Sequence, residues 1–379
     1  MLRSPRLLGI AGALALLLMT VTAAVATGSL GAAKQRGPVL QTFKTVTGKG
    51  RWYVYSKKTC SFKATANHPK VYKSVLRRQT GMTIVYMPEG TQAAYDKDLN
   101  DGTRRAASRA KMKFFQFSTE YPSTTLPIEA ANQAVVVKPD VVVSANVHPD
   151  LYPAIQAKFK KACIPFINEF NVPGTISVPA FQGDNYLAGA TAATAAVKII
   201  KQRNWPASGI WIVGCADPVW TTKRGTVYDL VRGYRETVAK ALNVPSAQVV
   251  HDIICTPEAG AEKARSSMAD WITAHPDARY ITGMGPADDI YGQGMANALR
   301  AANFGTRALI AGRGGTESSL KLIASGDPIF AVDAHLQFPT WGGPLVGMAQ
   351  QIALGQAVPA LVSPPVVAVT KENVDKYLP

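Results

Sequence analysis

Two adjacent carboxylates, Asp288 and Asp289, follow the apolar run RYITGM at 279–284 and precede a helical stretch at 293–302. In an open α/β sheet, ligands sit in the crevice beyond the carboxyl ends of the strands, so acids at such a junction are set to grip something small and polar. The same side chains could instead cap the following helix or favour its positive end. Other strand ends carry comparable groups. Glu89 and Tyr95 come after MTIVYM (82–87), and Asn168 closes PFIN, with Glu169, Phe170 and Asn171 beyond it. Asp217, Trp220 and Arg224 come after GIWIVGC, Arg313 lies in GRGGTE after ALIAG, and Gln337 follows FAVDAH. Carboxylates, amides and a guanidinium fork can pair the many hydroxyls of a polyol, while an aromatic face covers the apolar side of a ring. Each has an ordinary alternative as a packing or capping residue.

The chain contains no GxSxG elbow, no HExxH, no GxxxxGK[ST] and no GxGxxG after its first strand. None of its five histidines adjoins a candidate Ser or Cys nucleophile in sequence. GRGGTE, at 312–317, could seat an anion at a helix N-terminus or simply form a tight strand-to-helix turn. These observations favour binding over catalysis, with no cofactor. A hydrolase with an unrecognised site is the remaining enzymatic reading.

At 379 residues the chain is long enough for two lobes, each with its own core. Arg3 and Arg6 precede an apolar run that ends in Ala24, Val25 and Ala26, which predicts a signal peptide over 1–26 and an exported protein. An uncleaved anchor is the alternative, since the run from 7 to 26 is about as long as a bilayer span. The formal net charge of +16 is local: residues 1–88 hold 14 Lys and Arg and no acid, leaving 27 basic against 25 acidic residues beyond. The body is therefore near neutral and lacks a nucleic-acid reading module. Residues 27–81 read as a basic extension. It is either a hairpin packed on the first lobe or a surface in weak contact with anionic membrane or wall polymer.

Four cysteines in an exported chain suggest up to two disulfides. No pair has CxxC spacing and no His stands at ligand spacing, so a zinc site is not expected. Cys215 and Cys255 end two apolar runs that read as neighbouring parallel strands, a separation a disulfide can span; the alternative is two buried thiols. Cys60 and Cys163 would then pair, linking the extension to the first lobe.

From Met82 onward short apolar runs alternate with helical stretches: MTIVYM, FFQFS, VVVSA, PFIN and ISVP, then GIWIVG, VVHDII, RYITGM, ALIAG and FAVDAH. Repeated βα units predict an α/β protein of two doubly wound parallel-sheet lobes. The joint falls near PAFQGDNYLAG, where Asp184 can cap a helix that begins at Asn185.

The segment 273–305, the phrase Asp184-Asn185-Tyr186 with Gly189, and VTKENVD at 369–375 together resemble the type I periplasmic solute-binding proteins of ABC transporters, the ribose- and galactose-binding family. The resemblance spans about residues 82–379 and rests on the order of many weak signals. It implies a hinge crossed three times, near Asp184, Gln337 and 359–365. The first lobe would then cover 82–182 with about 340–360 returning to it, and the second 183–339 with about 361–379. It also implies a ligand-gripping loop at 87–90 with Tyr95, a sugar-like solute and an ABC permease as partner. A signal receptor feeding a sensor kinase is the same-fold alternative. Two departures stand out. Asn168-Glu169 replaces the usual Asp-Arg pair, and Arg313-Gly314 stands where sugar binders usually place an Asp, which opens a sugar acid or other small carboxylate as ligand. The apolar run has no terminal cysteine, so lipid anchoring is not written here.

Overall fold

The computed structural model describes residues 37–91, 94–120, 123–145, 150–169, 178–216, 226–249, 251–255, 260–285 and 289–378. It begins with β1 (Val39–Phe43), β2 (Thr47–Ser56), β3 (Ser61–Ala64) and β4 (Ser74–Arg77), of which β1 and β4 pair antiparallel. A βα alternation follows: β5 (Thr83–Met87), α1 (Ala94–Arg109), β6 (Lys113–Gln116), α2 (Leu126–Val137), β7 (Val141–Ser144), α3 (Tyr152–Lys161), β8 (Phe166–Asn168) and β9 (Ala180–Phe181). The second series is α4 (Asn185–Gln202), β10 (Ile210–Ala216), α5 (Thr226–Leu242), β11 (His251–Ile254), α6 (Gly260–Ala274), β12 (Tyr280–Met284), α7 (Asp289–Ala301), β13 (Ala308–Arg313), α8 (Glu317–Ala324) and β14 (Phe330–His335). The chain ends with α9 (Gly342–Ala353), β15 (Val358–Ser363) and β16 (Val367–Val369).

Among the described residues the first large sheet runs β3-β2-β15-β9-β8-β7-β5-β6 and the second β11-β10-β12-β13-β14-β16. The βα strands pair in parallel, as runs such as Val141–Ser144 require: every residue of β7 is buried, which suits a strand covered by helices on both faces. In the first sheet β5 lies between β6 and β7, and in the second β10 lies between β11 and β12. The winding direction reverses at those strands, and their carboxyl ends open a crevice. This is the doubly wound α/β class read from the sequence.

Residues 47–64 do not stand apart as an extension. β2 and β3 form a hairpin that pairs antiparallel with β15, Tyr53 opposite Val358, and so completes one edge of the first sheet. The chain passes between the sheets at 182–184, 336–341 and 364–366. An aromatic group packs where two of these passages meet. Trp341, with no exposure, stands edge-on to Phe181 at 5.6 Å, touches Phe338 at 4.9 Å and donates its indole N–H to the Leu336 carbonyl at 2.7 Å.

Asp184 accepts from the Leu187 amide at 3.0 Å and caps α4. α4 then lies close against α5. A Cβ at Gly189 would collide with the Leu230 carbonyl, so the glycine sets that approach. Disulfides join Cys60 to Cys163, Cα atoms 4.6 Å apart, and Cys215 to Cys255, 5.7 Å apart. The first ties the β2–β3 hairpin to the end of α3, and the second joins the carboxyl ends of β10 and β11. No helix among the described residues is long and apolar enough to cross a membrane.

Candidate ligand-binding cleft

The first sheet brings an acidic group to the crevice. Asn168 and Glu169, at the carboxyl end of β8, are 2% and 0% exposed. Glu169 accepts the Tyr86 hydroxyl at 2.7 Å, and Tyr86 comes from β5. Asp96, buried in the first turn of α1, is close enough to act on both Glu169 and Glu89. Glu89, just past β5 and half-buried, takes a hydrogen bond from Tyr95, which lies on α1 and not in the loop where the sequence reading put its role. The Tyr95 ring lies 5.4 Å from Phe338, so it also packs against the second passage between the sheets, after β14.

Burial and neighbouring charge set the protonation of these groups. Glu169 is pushed up to about 8 by burial first, with Asp96 adding repulsion and the Tyr86 hydroxyl pulling the other way. Glu89 is also pushed up to about 8, by burial and then by Asp96, against the pull of Tyr95 and Arg313. Water reaches part of Glu89, so its shift is moderated and Glu169 carries the stronger case. The Tyr86 hydroxyl is held well above the usual phenol range by burial and by the adjacent acids, and it stays a donor.

The second sheet contributes Arg313 from the end of β13. Its guanidinium donates to Asn185 Oδ1 at 3.1 Å, and its charge reaches Glu89 on the first lobe. Arg313 on the second sheet therefore lies near enough to Glu89 on the first to favour its ionised form. Gln337, with φ 56° in the left-handed region, forms the turn after β14, where its carbonyl accepts from the Thr340 amide and hydroxyl at 2.8 and 2.9 Å. Its side chain stays half-buried at the crossing.

Asp289 has a protein partner for one of its oxygens. The helix begins at Asp289, four residues before the expected start, and the aspartate is fully buried. Its Oδ2 accepts from the Thr316 amide at 2.7 Å, the first amide of the turn into α8. GRGGTE is thus a tight turn, with Gly314 and Gly315 at φ 132° and 79°, and its amide is taken by the protein's own carboxylate instead of a bound anion. Asn171, Trp220, Arg224 and Asp288 lie outside the described residues. Among the described residues no group of three or more His, Cys, Asp or Glu could hold a metal ion. The sequence reading missed Tyr86, Asp96, Asn185 and Ser144, which converge here from separate elements. Asp96, one residue past Tyr95, was the most legible of them.

The comparisons agree with this architecture. A family model described as "Periplasmic binding protein domain" matches residues 84–356. Among curated proteins, none matches the sequence. Solved structures do match in fold. An ABC transporter solute-binding protein from Mycobacterium smegmatis with bound glycerol is 20% identical, with 79% of this chain and 97% of that one covered and a TM-score of 0.64. One from Bacillus halodurans with bound myo-inositol is 16% identical, covering 79% and 98%, at 0.65. A third, from Actinobacillus succinogenes with bound D-allose, is 16% identical, covering 78% and 100%, at 0.64. At these identities the structures speak to the fold, while the family model spans most of the sequence. The chain belongs to the periplasmic binding protein domain family.

Proposed function

We propose that the chain is the extracytoplasmic solute-binding component of an ABC importer, and that it captures a sugar or related small polar solute between its lobes and presents it to a membrane permease. The observation that carries this reading is the meeting of Glu89 from the first sheet with Arg313 from the second at the carboxyl ends of their strands. A solute held between them would touch both lobes and favour their closed arrangement over an open one. Asn168, Glu169, Tyr95 and Gln337 would complete the polar lining, and Asn171, Trp220, Arg224 and Asp288, outside the described residues, remain candidates. The glycerol, myo-inositol and D-allose of the fold neighbours are polyols, which supports the solute class. The reading includes export directed by residues 1–26 and binding without turnover.

A thermal-shift screen of sugars, polyols and their derivatives tests it. A solute at roughly 100 times its dissociation constant should stabilise the native state by about 2.7 kcal/mol and raise the melting temperature clearly. The solute should also be recovered unchanged. A screen with no hit among sugars and polyols, or a hit that is converted, overturns the proposal.

A further inference from the structure

The first-lobe wall of the cleft carries a cluster of buried oxygens without hydrogen-bond partners. Glu169 Oε1, Asn168 Oδ1 and Ser144 Oγ are buried at the ends of the adjacent strands β7 and β8, and none has a hydrogen-bond partner among the described residues. Ser144 and Asn168 are paired in register, so these atoms belong to one small patch. Native proteins rarely leave buried polar atoms unsatisfied, and a group of them at a sheet's carboxyl end marks where a ligand's donors would fall. Glu169 is aimed into the acidic group, since it interacts with Asp96 and Glu89.

The charge around the patch narrows the ligand. Among the described residues the titratable groups facing Glu89 and Glu169 are Tyr86 from β5, Tyr95 and Asp96 from α1, and Arg313 from β13. Among the described residues three carboxyls thus face one guanidinium, and that guanidinium already donates to Asn185. A carboxylate ligand would add negative charge to a wall where burial and Asp96 already push Glu89 and Glu169 toward their neutral forms. A neutral hydroxyl brings one donor and no charge. An ammonium brings three donors, no acceptor and the missing positive charge.

Resting on the solute-binding reading above, we infer that the cleft is built for a solute that carries a cationic nitrogen beside its hydroxyls, an amino sugar being the simplest member, with Glu169 and Glu89 as its counter-ions. Without the ligand, Glu169 holds a proton at neutral pH, because burial and then the repulsion of Asp96 push it up to about 8, and burial and Asp96 push the half-buried Glu89 in the same direction. The ammonium replaces the proton so held, and binding releases it to solvent. Since the cation binds the ionised carboxyls, affinity rises with pH below 8, by up to about tenfold per pH unit for each carboxyl that ionises.

Calorimetry on the full mature chain tests this with matched trios on several ring stereochemistries: an amino sugar, its neutral parent and its sugar acid, for instance glucosamine, glucose and glucuronate. The measurements run between about pH 5.5 and 7, where the amino group stays charged, in buffers of differing ionisation heat. We expect at least one amino sugar to bind at least tenfold more tightly than its neutral and acidic partners, with net proton release and with affinity climbing with pH. Glu169→Gln should abolish the preference and reduce the proton release, whereas Glu262→Gln, on the exposed face of α6, should change neither. Tighter binding of a neutral sugar or a sugar acid, or binding of an amino sugar without proton release, overturns the inference and leaves the solute-binding reading intact. If no member of any trio binds, the sugar-site reading itself fails and takes the inference with it.

Discussion

Glu169 lies just past β8 in the first sheet and Asp289 lies beyond β12 in the second, and both are 0% exposed. Their surroundings differ. Asp289 meets the Thr316 amide at the start of α8, a main-chain donor at the positive end of a helix, present whether or not a ligand is bound. Glu169 meets one phenol, and beyond it Asp96, Glu89 and the orphaned oxygens of Ser144 and Asn168. Each acid keeps one buried oxygen without a partner among the described residues, Asp289 Oδ1 and Glu169 Oε1, but the bonded oxygen of Asp289 holds a main-chain turn while that of Glu169 holds a side-chain hydroxyl. Position past a strand end does not distinguish the two roles. The kind of atoms packed around the carboxylate does.

Removing each acid sharpens the contrast. Asp289→Ala leaves the Thr316 amide without its acceptor in a buried turn, and should cost about 1–3 kcal/mol of stability, read as a melting temperature lower by several degrees. If Asp289 were a ligand contact instead, the unliganded protein would keep its stability and only affinity would fall. Glu169→Gln should act in the other direction and with a pH signature. The folded-state carboxyl is held at about 8 by burial, against roughly 4.3 in the unfolded chain. The folded protein thus keeps a proton that the unfolded chain releases. That stabilising contribution is complete below about pH 4 and is lost as pH rises through 8. The glutamine variant should show a shallower decline of unliganded stability across this window, and near pH 8 should exceed the parent by roughly 1–2 kcal/mol. Chemical unfolding at a series of pH values measures this, and parallel pH profiles for parent and variant would remove Glu169 from the titration.

Sequence made the lobes legible because parallel strands buried on both faces read as apolar runs. VVVS at 141–144 and ALIAG at 308–312 could hardly be anything else, and Asp184 announced its helix as a local cap. The edge of the first sheet was hidden for the opposite reason. β2 finds its partner β15 some 300 residues later, Tyr53 against Val358, and nothing local in RWYVYS specifies that pairing. The acidic group was half legible. Glu89, Tyr95, Asn168 and Glu169 follow strands and could be marked by position, whereas Tyr86 looks like any core strand residue and Asp96 like any helix-surface acid until the elements pack. The Asp289 partner was not legible because it is an amide 27 residues on, supplied by the tight turn of GRGGTE. Arg313 could be named from its place after β13, but its engagement with Asn185 depends on α4 crossing beside it.

The smallest expected effect concerns an ion pair that bridges the two series of elements. Lys49, on β2 of the first sheet, reaches Asp184, the cap of α4 at the first passage between the sheets. Burial tends to raise the Asp184 carboxyl, but hydrogen bonds from Lys49 and the Leu187 amide outweigh it and hold the group below the usual aspartate range. Its contribution is therefore present above about pH 4 and lost as pH falls through the depressed value. Lys49 is half exposed, so the pair itself is worth at most about 1 kcal/mol. Lys49→Met keeps the apolar stem and the helix cap while removing the charge. It should lower stability by less than about 1 kcal/mol, and the difference should vanish near 1 M salt, where the screening length falls to about 3 Å. Asp184→Ala removes the cap as well and should cost about 1 kcal/mol more, a part that salt leaves unchanged. Unfolding of both variants at low and high salt separates the two terms. A salt-insensitive loss in Lys49→Met would show that the lysine acts through packing against β15 and not through its charge, and the bridge between the lobes at this passage would then rest on the helix cap and the aromatic group around Trp341.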